Sequence, residues 1–554
     1  MAKWRPGTAR AFAIAPAVLA ALAGTVVIVN QWSGGRPFWV DEEMIAINIR
    51  DRSVAGLAGK LWLGQSAPLA WLWLEKLAMA VGGTSEKALR FVPAMFGIAT
   101  LAGAVWIGRR WMTAAGAFVL TLLCGFGLWM SFFPLELKHY SADAFWGLIL
   151  PALAAWAAET RDAGAIRRRA VLWWAVAALA HWLSNGGLLA APGCALALFA
   201  LIWKRHGARE AAIFALAGVA WLASFAIYYE LSLSHTHNNR FLRTHWSGEF
   251  VPAGAGPAGT LQWLASRFEP LAWNPGGTTL AALFWICAVA GLALGRARVL
   301  AAMFVTLPIA AFALVCAGLV PLYERFSLWM VPALYAGVAM LADRAWMLAR
   351  GGVRGRRLIL IPPAAAMAIA VVILSRDIVA HGVDDMRHSR SPATNHGLHD
   401  RDSVQWLLAQ RKPGDTLLTT RLGWPAVWWY GEMRPQPGSA GAPEGLTAYE
   451  IDHRWPGADC APEQLRDTMR PHARALIHVG FPDMPEGYGD LLLRHLDQLG
   501  AIAYYREFGH DGFAAVVDLH TPQPAESTLE LIPRSRAGER RLAGCIGVAP
   551  ARLW

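Results

Sequence analysis

A chain of 554 residues that is 55% hydrophobic and 16% charged, with mean hydropathy +0.34 and 28 tryptophans, carries more apolar surface than one water-soluble core can bury. Its formal net charge of +11 does not point to nucleic acid, because the basic residues do not gather on one soluble face. They recur in short clusters between apolar segments, as expected of the cytoplasmic turns of a polytopic α-helical membrane protein.

Lys3, Arg5 and Arg10 precede the first apolar run, which is longer than the apolar part of a secretory leader and has no small-residue cleavage pattern after it. The sequence therefore predicts an uncleaved first span over about 11–30, with a cytoplasmic N-terminus. A polar loop of roughly 55 residues follows. It carries Asp41, Glu42 and Glu43, then Lys60 and Gln65, then a short Trp-rich stretch over 67–81 that reads as a helix lying along the membrane surface.

Ten further spans are predicted over about 88–107, 113–132, 144–158, 170–183, 186–203, 210–231, 278–295, 299–320, 327–346 and 358–375, giving about 11 in all. Counted alternately, the turns at Arg109-Arg110, Arg161 to Arg169, Lys204-Arg205, Arg296 to Arg298 and Arg350 to Arg357 fall in the cytoplasm. The same count puts Asp41, Glu136, Arg240 and Glu324 outside. Residues 1–375 thus form a transmembrane domain and 376–554 a soluble, extracytoplasmic α/β domain. In the latter the pattern predicts a helix over 402–409, strands over 416–420 and 475–479, an apolar patch at 426–430, a helix over 490–499, and an antiparallel pair, 501–508 with 513–519. Cys124, Cys194, Cys287 and Cys316 lie in apolar segments and read as small buried hydrophobes. Cys460 and Cys545 lie in the soluble region, where a disulfide and two free thiols are both open readings.

Charge at a membrane edge costs several kcal/mol unless water, a cation or chemistry is waiting for it. Acids in a first helical turn also have a plainer reading, since they favour the positive end of the helix dipole. Five polar clusters nevertheless share the outer side: Asp41-Glu42-Glu43, Lys60 with Gln65, Glu136 to Asp143, the loop His235 to Trp246, and Tyr323-Glu324-Arg325. With the spans packed as a bundle they would line one cavity, offering carboxylates for base or metal work and cations for phosphate. Glu136, His139, Tyr140 and Asp143 recur at offsets of 3, 4 and 7, so on a helix they share one face, although Pro134 leaves open a loop at the start. His235 and His237 would present two imidazoles on one side of a strand, without an evident third metal ligand. His181 and Asn185 read as polar packing groups.

Several stretches resemble the GT-C membrane glycosyltransferases, in particular the bacterial class grouped with protein O-mannosyltransferases and the lipid A aminoarabinose transferase. They are Phe38-Trp39-Val40-Asp41-Glu42-Glu43, Ser66-Ala67-Pro68-Leu69 before the Trp-rich helix, Leu89-Arg90-Phe91-Val92-Pro93, the run Glu136 to Asp143, Leu322-Tyr323-Glu324-Arg325-Phe326, and Arg411-Lys412-Pro413-Gly414-Asp415 leading to Trp429-Tyr430. The resemblance implies inverting transfer of a sugar from a polyprenyl-phosphate donor to an envelope lipid, glycan or protein. It implies Asp41 as catalytic base, with Glu42, Glu136 and Asp143 as further acids. A divalent cation between a first-loop and a second-loop acid is part of the pattern in some members. Lys138 and Arg325, ahead of Lys60, Arg240 and Arg243, are the expected phosphate partners, and His139, Tyr140 and Tyr323 the expected lining of the substrate site. Glu43 departs from the small residue common at its position, which leaves open whether it or Glu42 assists. The alternative reading is a transporter or flippase for a lipid-linked or anionic substrate, though neither paired repeats nor broken midplane helices stand out in the sequence.

Overall fold

The computed structural model describes residues 6–350, 357–388, 390–391, 394–395, 399–420, 422–432, 434–436, 439–441, 447–454, 467–480, 499–508, 512–521 and 545–549. The helices of eight or more residues that matter below are α1 Pro6–Ser33, α2 Val40–Asp51, α3 Leu69–Gly82, α4 Phe91–Trp111, α5 Ala114–Phe126, α6 Tyr140–Ala158, α7 Ala163–Leu183, α8 Asn185–His206, α9 Ala208–Tyr228, α10 Ala281–Leu294, α11 Arg298–Cys316, α12 Val331–Arg350, α13 Arg357–His388, α14 Asp400–Ala409 and α15 Trp424–Gly431. Every segment expected to span is helical. By length and composition, however, eight helices qualify to cross a membrane, or nine if a pair bent by 61° counts as one. α7 and α10 fall short, the first because Arg167, Arg168 and Arg169 sit in its opening turns, the second because it has only 14 residues. The bent pair is the expected span 113–132: Gly127 adopts extended backbone between α5 and the turn Leu128–Phe132, which breaks the hydrogen-bond ladder.

Contact density divides the chain into two compact units. The first holds 1–34, 53–60 and 66–388. Its inner span is Glu324–Arg350, a 3₁₀ stretch continued by α12, whose apolar part is 94% buried, whereas the corresponding parts of α1 and α13 are 22% buried and carry exposed Leu19, Leu22, Val26, Ile369 and Val372. Such ridges suit a lipid solvent. α10 and α12 approach so closely that a Cβ on Gly291 would lie 1.7 Å from the Gly337 carbonyl oxygen and one on Gly337 would lie 2.3 Å from that of Ala288. Small residues at the crossing let backbones touch where no hydrophobic force draws helices together in a membrane. The thiols of Cys124, Cys194 and Cys287 are buried here as expected, whereas Cys316 ends α11 exposed.

The second unit joins two pieces of the first polar loop, 35–52 and 61–65, to residues 389–554. Its strands are β1 Thr416–Thr420, β2 Thr447–Arg454, β3 Arg474–Val479, β4 Ala501–Phe508, β5 Gly512–Asp518 and β6 Cys545–Ala549, in the order β6-β2-β1-β3-β5-β4. β1 pairs in parallel with β2 and β3, and the outer pairings are antiparallel. The expected β4–β5 pair is present, as are the strands at 416–420 and 475–479 and the helix near 402–409. β1 and β3, the inner strands, are buried along their whole length, threonines, Arg474 and His478 included, so neither alternates between a buried and an exposed face. The apolar patch at 426–430 lies in α15. The expected helix 490–499 lies almost wholly outside the described residues, as do Cys460 and the side chain of Cys545.

Candidate functional site

The candidate residues fall on both units: Asp41, Glu42 and Glu43 on the second, and Lys60, Glu136 to Asp143, Arg240, Arg243, Tyr323 and Arg325 on the first.

In the second unit, Asp41, Glu42 and Glu43 occupy the first turn of α2, and their environments differ. Glu42 is fully buried, and its Oε2 accepts the Trp39 N–H at 2.9 Å, satisfying one orphan donor at the start of the helix. Glu43 is fully buried too, and neither carboxyl oxygen has a hydrogen-bond partner among the described residues. Burial first, then the negative charges of Asp400 and Glu42, hold it well above the usual carboxylate range. Asp400, at the start of α14, is itself buried, with Oδ1 at 3.7 Å from Nε2 of the buried His478 on β3. The Nδ1 of that imidazole lies 3.3 Å from Thr419 Oγ1. Asp41 alone of the three acids keeps partial exposure.

In the first unit the run from Glu136 to Asp143 is not one helix. A 3₁₀ turn over Phe133–Leu135, containing Pro134, ends in extended backbone at Glu136, and α6 begins only at Tyr140. Glu136 therefore does not share a helical face with His139, Tyr140 and Asp143, and of the expected offsets only those from His139 onward hold. All five side chains are buried, Lys138 included at 9% exposure. Burial, then the neighbouring Lys138 ammonium, pushes His139 down to about 3 and keeps it neutral. Its Nε2 accepts from Asn185 Nδ2 at 3.0 Å and lies 3.7 Å from Asp143 Oδ2. Asp143 Oδ1 accepts from Ser184 Oγ at 2.6 Å and from the Gly186 N–H at 2.9 Å. That carboxylate thus anchors the N-terminus of α8, where free N–H groups and the dipole favour an anion. A Cβ on Gly186 would meet Asp143 Cβ at 2.8 Å, so the approach requires glycine.

The late-span residues join the same aromatic cluster. Trp246, from the long polar loop, lies 4.8 Å from the Tyr323 ring and 5.0 Å from Phe326, which lies 6.3 Å from Tyr140. The Arg325 guanidinium stands 5.5 Å from the Trp246 ring centre. Burial, then Glu324, pushes Tyr323 up to about 12, which keeps it a hydrogen-bond donor. The backbone ties the loop down, since the Leu322 N–H donates to the Glu249 carbonyl at 3.0 Å. The structure thus brings His139, Tyr140, Tyr323 and Arg325 into one aromatic-walled cluster. Lys60 and Arg243 are exposed, and the side chain of Arg240 lies outside the described residues. His235 and His237 sit in a helical turn, Ser234–His237, where an offset of two points them apart, contrary to the expected strand. Among the described residues no three His, Cys, Asp or Glu side chains gather closely enough to hold a metal ion.

Three groups were passed over in the sequence. Asp400 acts on Glu43, and His478 on Asp400, only through tertiary contacts. Glu75, on α3, is fully buried with both oxygens lacking a partner among the described residues, and burial holds it well above the usual carboxylate range. Trp71, one turn earlier on that helix, packs edge-to-face with His139, ring centres 6.1 Å apart. A lone acid in an otherwise apolar helix was the available signal.

No protein-family model matches the sequence, and no curated protein matches it. The chain is similar to the solved structure of ArnT from Cupriavidus metallidurans bound to undecaprenyl phosphate, at 15% identity over 92% of this chain and 99% of that one, with a TM-score of 0.48. It is similar also to the archaeal oligosaccharyltransferase AglB from Archaeoglobus fulgidus in complex with an inhibitory peptide and a dolichol-phosphate (13% identity, 92% of this chain, 75% of that one, TM-score 0.43). A third is the arabinofuranosyltransferase AftD from Mycobacteria (12% identity, 91% of this chain, 40% of that one, TM-score 0.39).

Proposed function

We propose that the chain is an inverting glycosyltransferase that moves a sugar from a polyprenyl-phosphate donor to an envelope lipid, glycan or protein on the outer face of the cytoplasmic membrane. The observation that carries the reading is the division of labour among the three first-loop acids. Glu42 caps its own helix start and Glu43 is buried near Asp400, and the partly exposed Asp41 is the acid this reading assigns to the acceptor.

In the reaction an acceptor O–H attacks C1 of the sugar, the C1–O bond to the lipid phosphate breaks, and the phosphate leaves with the electron pair. Asp41 takes the acceptor proton as the new bond forms. Lys138 and Arg325 counter the charge developing on the leaving phosphate. Neutral His139 and protonated Tyr323 supply hydrogen bonds without adding charge. Asp143, whose Oδ1 is committed to the α8 terminus, serves as a structural anchor in this scheme.

Mass spectrometry of envelope lipids and glycans from cells with and without the protein identifies the transferred sugar. Asp41→Asn is then expected to lower transfer by about 10²–10⁴-fold while leaving undecaprenyl phosphate binding intact. Unchanged transfer would remove Asp41 from the base role. Transport of an intact lipid-linked sugar with no new glycosidic bond would replace the enzyme by a flippase.

A further inference from the structure

The second unit fastens the acidic helix to the soluble sheet through one short element. α15, WPAVWWYG, is eight residues long and stops where Glu432 enters left-handed backbone at φ 56°. Its last carbonyls have no helical N–H to receive. Arg50, in the last turn of α2, supplies the donors: Nη1 to the Trp429 carbonyl at 3.0 Å and Nη2 to the Trp428 carbonyl at 3.1 Å. A guanidinium at the negative end of a helix is favoured by the dipole as well as by its fork of donors. Asp51 completes a closed ring of contacts, its Oδ1 taking Arg50 Nε at 2.8 Å and its Oδ2 taking the Trp428 indole N–H at 2.8 Å.

Further contacts follow the same seam. Trp428 is fully buried and stacks on Trp62, ring centres 5.6 Å apart, while Phe38 packs 5.5 Å from Trp429. The Phe38 N–H donates to Tyr430 Oη at 2.8 Å, and Arg401 Nη1 donates to the Gly35 carbonyl at 2.9 Å. These last contacts fall on the residues that lead into α2 at its other end. Both ends of a 12-residue helix are therefore held by the soluble domain, and Asp41 rides on it.

We propose that α15 is a clamp that sets the position of Asp41, which makes Arg50, Asp51 and Trp428 positioning residues for the transfer reaction. The proposal rests on the reading of Asp41 as the base. A misplacement of about 1 Å in a reacting group can cost about 10²-fold in rate, so a loosened α2 lowers turnover while leaving lipid-phosphate binding alone.

The test uses the full-length protein in detergent with Arg50→Gln, which removes the fork, Trp428→Phe, which keeps a ring and removes the indole N–H, and Arg50→Lys, which keeps the charge and one donor. Hydrogen–deuterium exchange over residues 40–51 is expected to accelerate in the first two, and transfer to fall by about 10- to 100-fold with undecaprenyl phosphate affinity unchanged. Arg50→Lys recovers part of both. Wild-type exchange over 40–51 in Arg50→Gln would show that there is no clamp. Accelerated exchange with wild-type transfer would show that the clamp does not position the base. Should Asp41→Asn itself transfer normally, the assignment of Asp41 as base fails, and the exchange measurement still decides the clamp.

Discussion

Replacing Glu43 by glutamine tests whether the second first-loop acid is a buried neutral group or a working carboxylate. Its side chain is fully buried, without a hydrogen-bond partner among the described residues, and faces the charges of Asp400 and Glu42. An ion so placed carries an effective penalty of several kcal/mol, and the acid avoids it by keeping its proton. Its folded pKa is thereby raised above the unfolded value near 4.5. The stability that the protonated form contributes is then fully present below that value and is lost as pH rises through the folded pKa. The loss is up to about 1.4 kcal/mol per pH unit within that window. Glutamine has nearly the same shape and no proton to lose. Thermal unfolding in detergent, read as the difference between Glu43→Gln and wild type from pH 5 to 9, is expected to start near zero and grow in favour of the variant as pH rises. Subtracting wild type removes every titration the two proteins share. Parallel curves would refute the reasoning, and a collapse of transfer in Glu43→Gln at unchanged stability would assign Glu43 to the chemistry.

Three other outcomes follow from the geometry. Asp143→Ala removes the acceptor of Ser184 Oγ and the Gly186 N–H, which should cost about 1–3 kcal/mol in thermal unfolding, and Asp143→Asn, which keeps one acceptor oxygen, should cost less. Gly291→Ala drives a methyl into the Gly337 carbonyl and should destabilise by about 1–3 kcal/mol or more, read as lost folded yield after extraction. Arg474→Ala removes the cation that the buried Asp415 meets at 2.8 Å and leaves it the Lys412 N–H. A loss of about 3–5 kcal/mol is expected in the soluble domain's unfolding, with partial recovery in Arg474→Lys.

The helical segments were legible because long apolar runs have few alternatives in a chain of this hydropathy, and each expected segment is a helix. Their number as spans was less so: α7 and α10 were counted on apolar character, while the arginines of one and the brevity of the other set them apart. In the soluble region, β1 and β3 were found from β-branched and aliphatic runs, whereas α15 read only as an apolar patch because eight residues with three tryptophans show no period. The 3.6-residue argument failed at Glu136 because Pro134 had already committed the chain to a 3₁₀ turn and an extended exit. The acidic triplet was conspicuous, yet its sorting into a cap, a buried acid and a partly exposed acid depended on burial and on Asp400. That residue lies hundreds of positions downstream, where no local pattern announces a partner.

One unit being stitched from residues 35–52, 61–65 and 389–554 has a consequence for biosynthesis. At about 5–20 residues per second, the acidic helix leaves the ribosome tens of seconds before the strands and α15 that hold it exist. During that interval Arg50 lacks its carbonyls, and Glu43, lacking its burial, titrates as an ordinary surface acid. Maturation therefore runs backwards along the chain: the last part translated completes the first loop, and a molecule cut short after α13 would carry Asp41 on a helix without the contacts of α15.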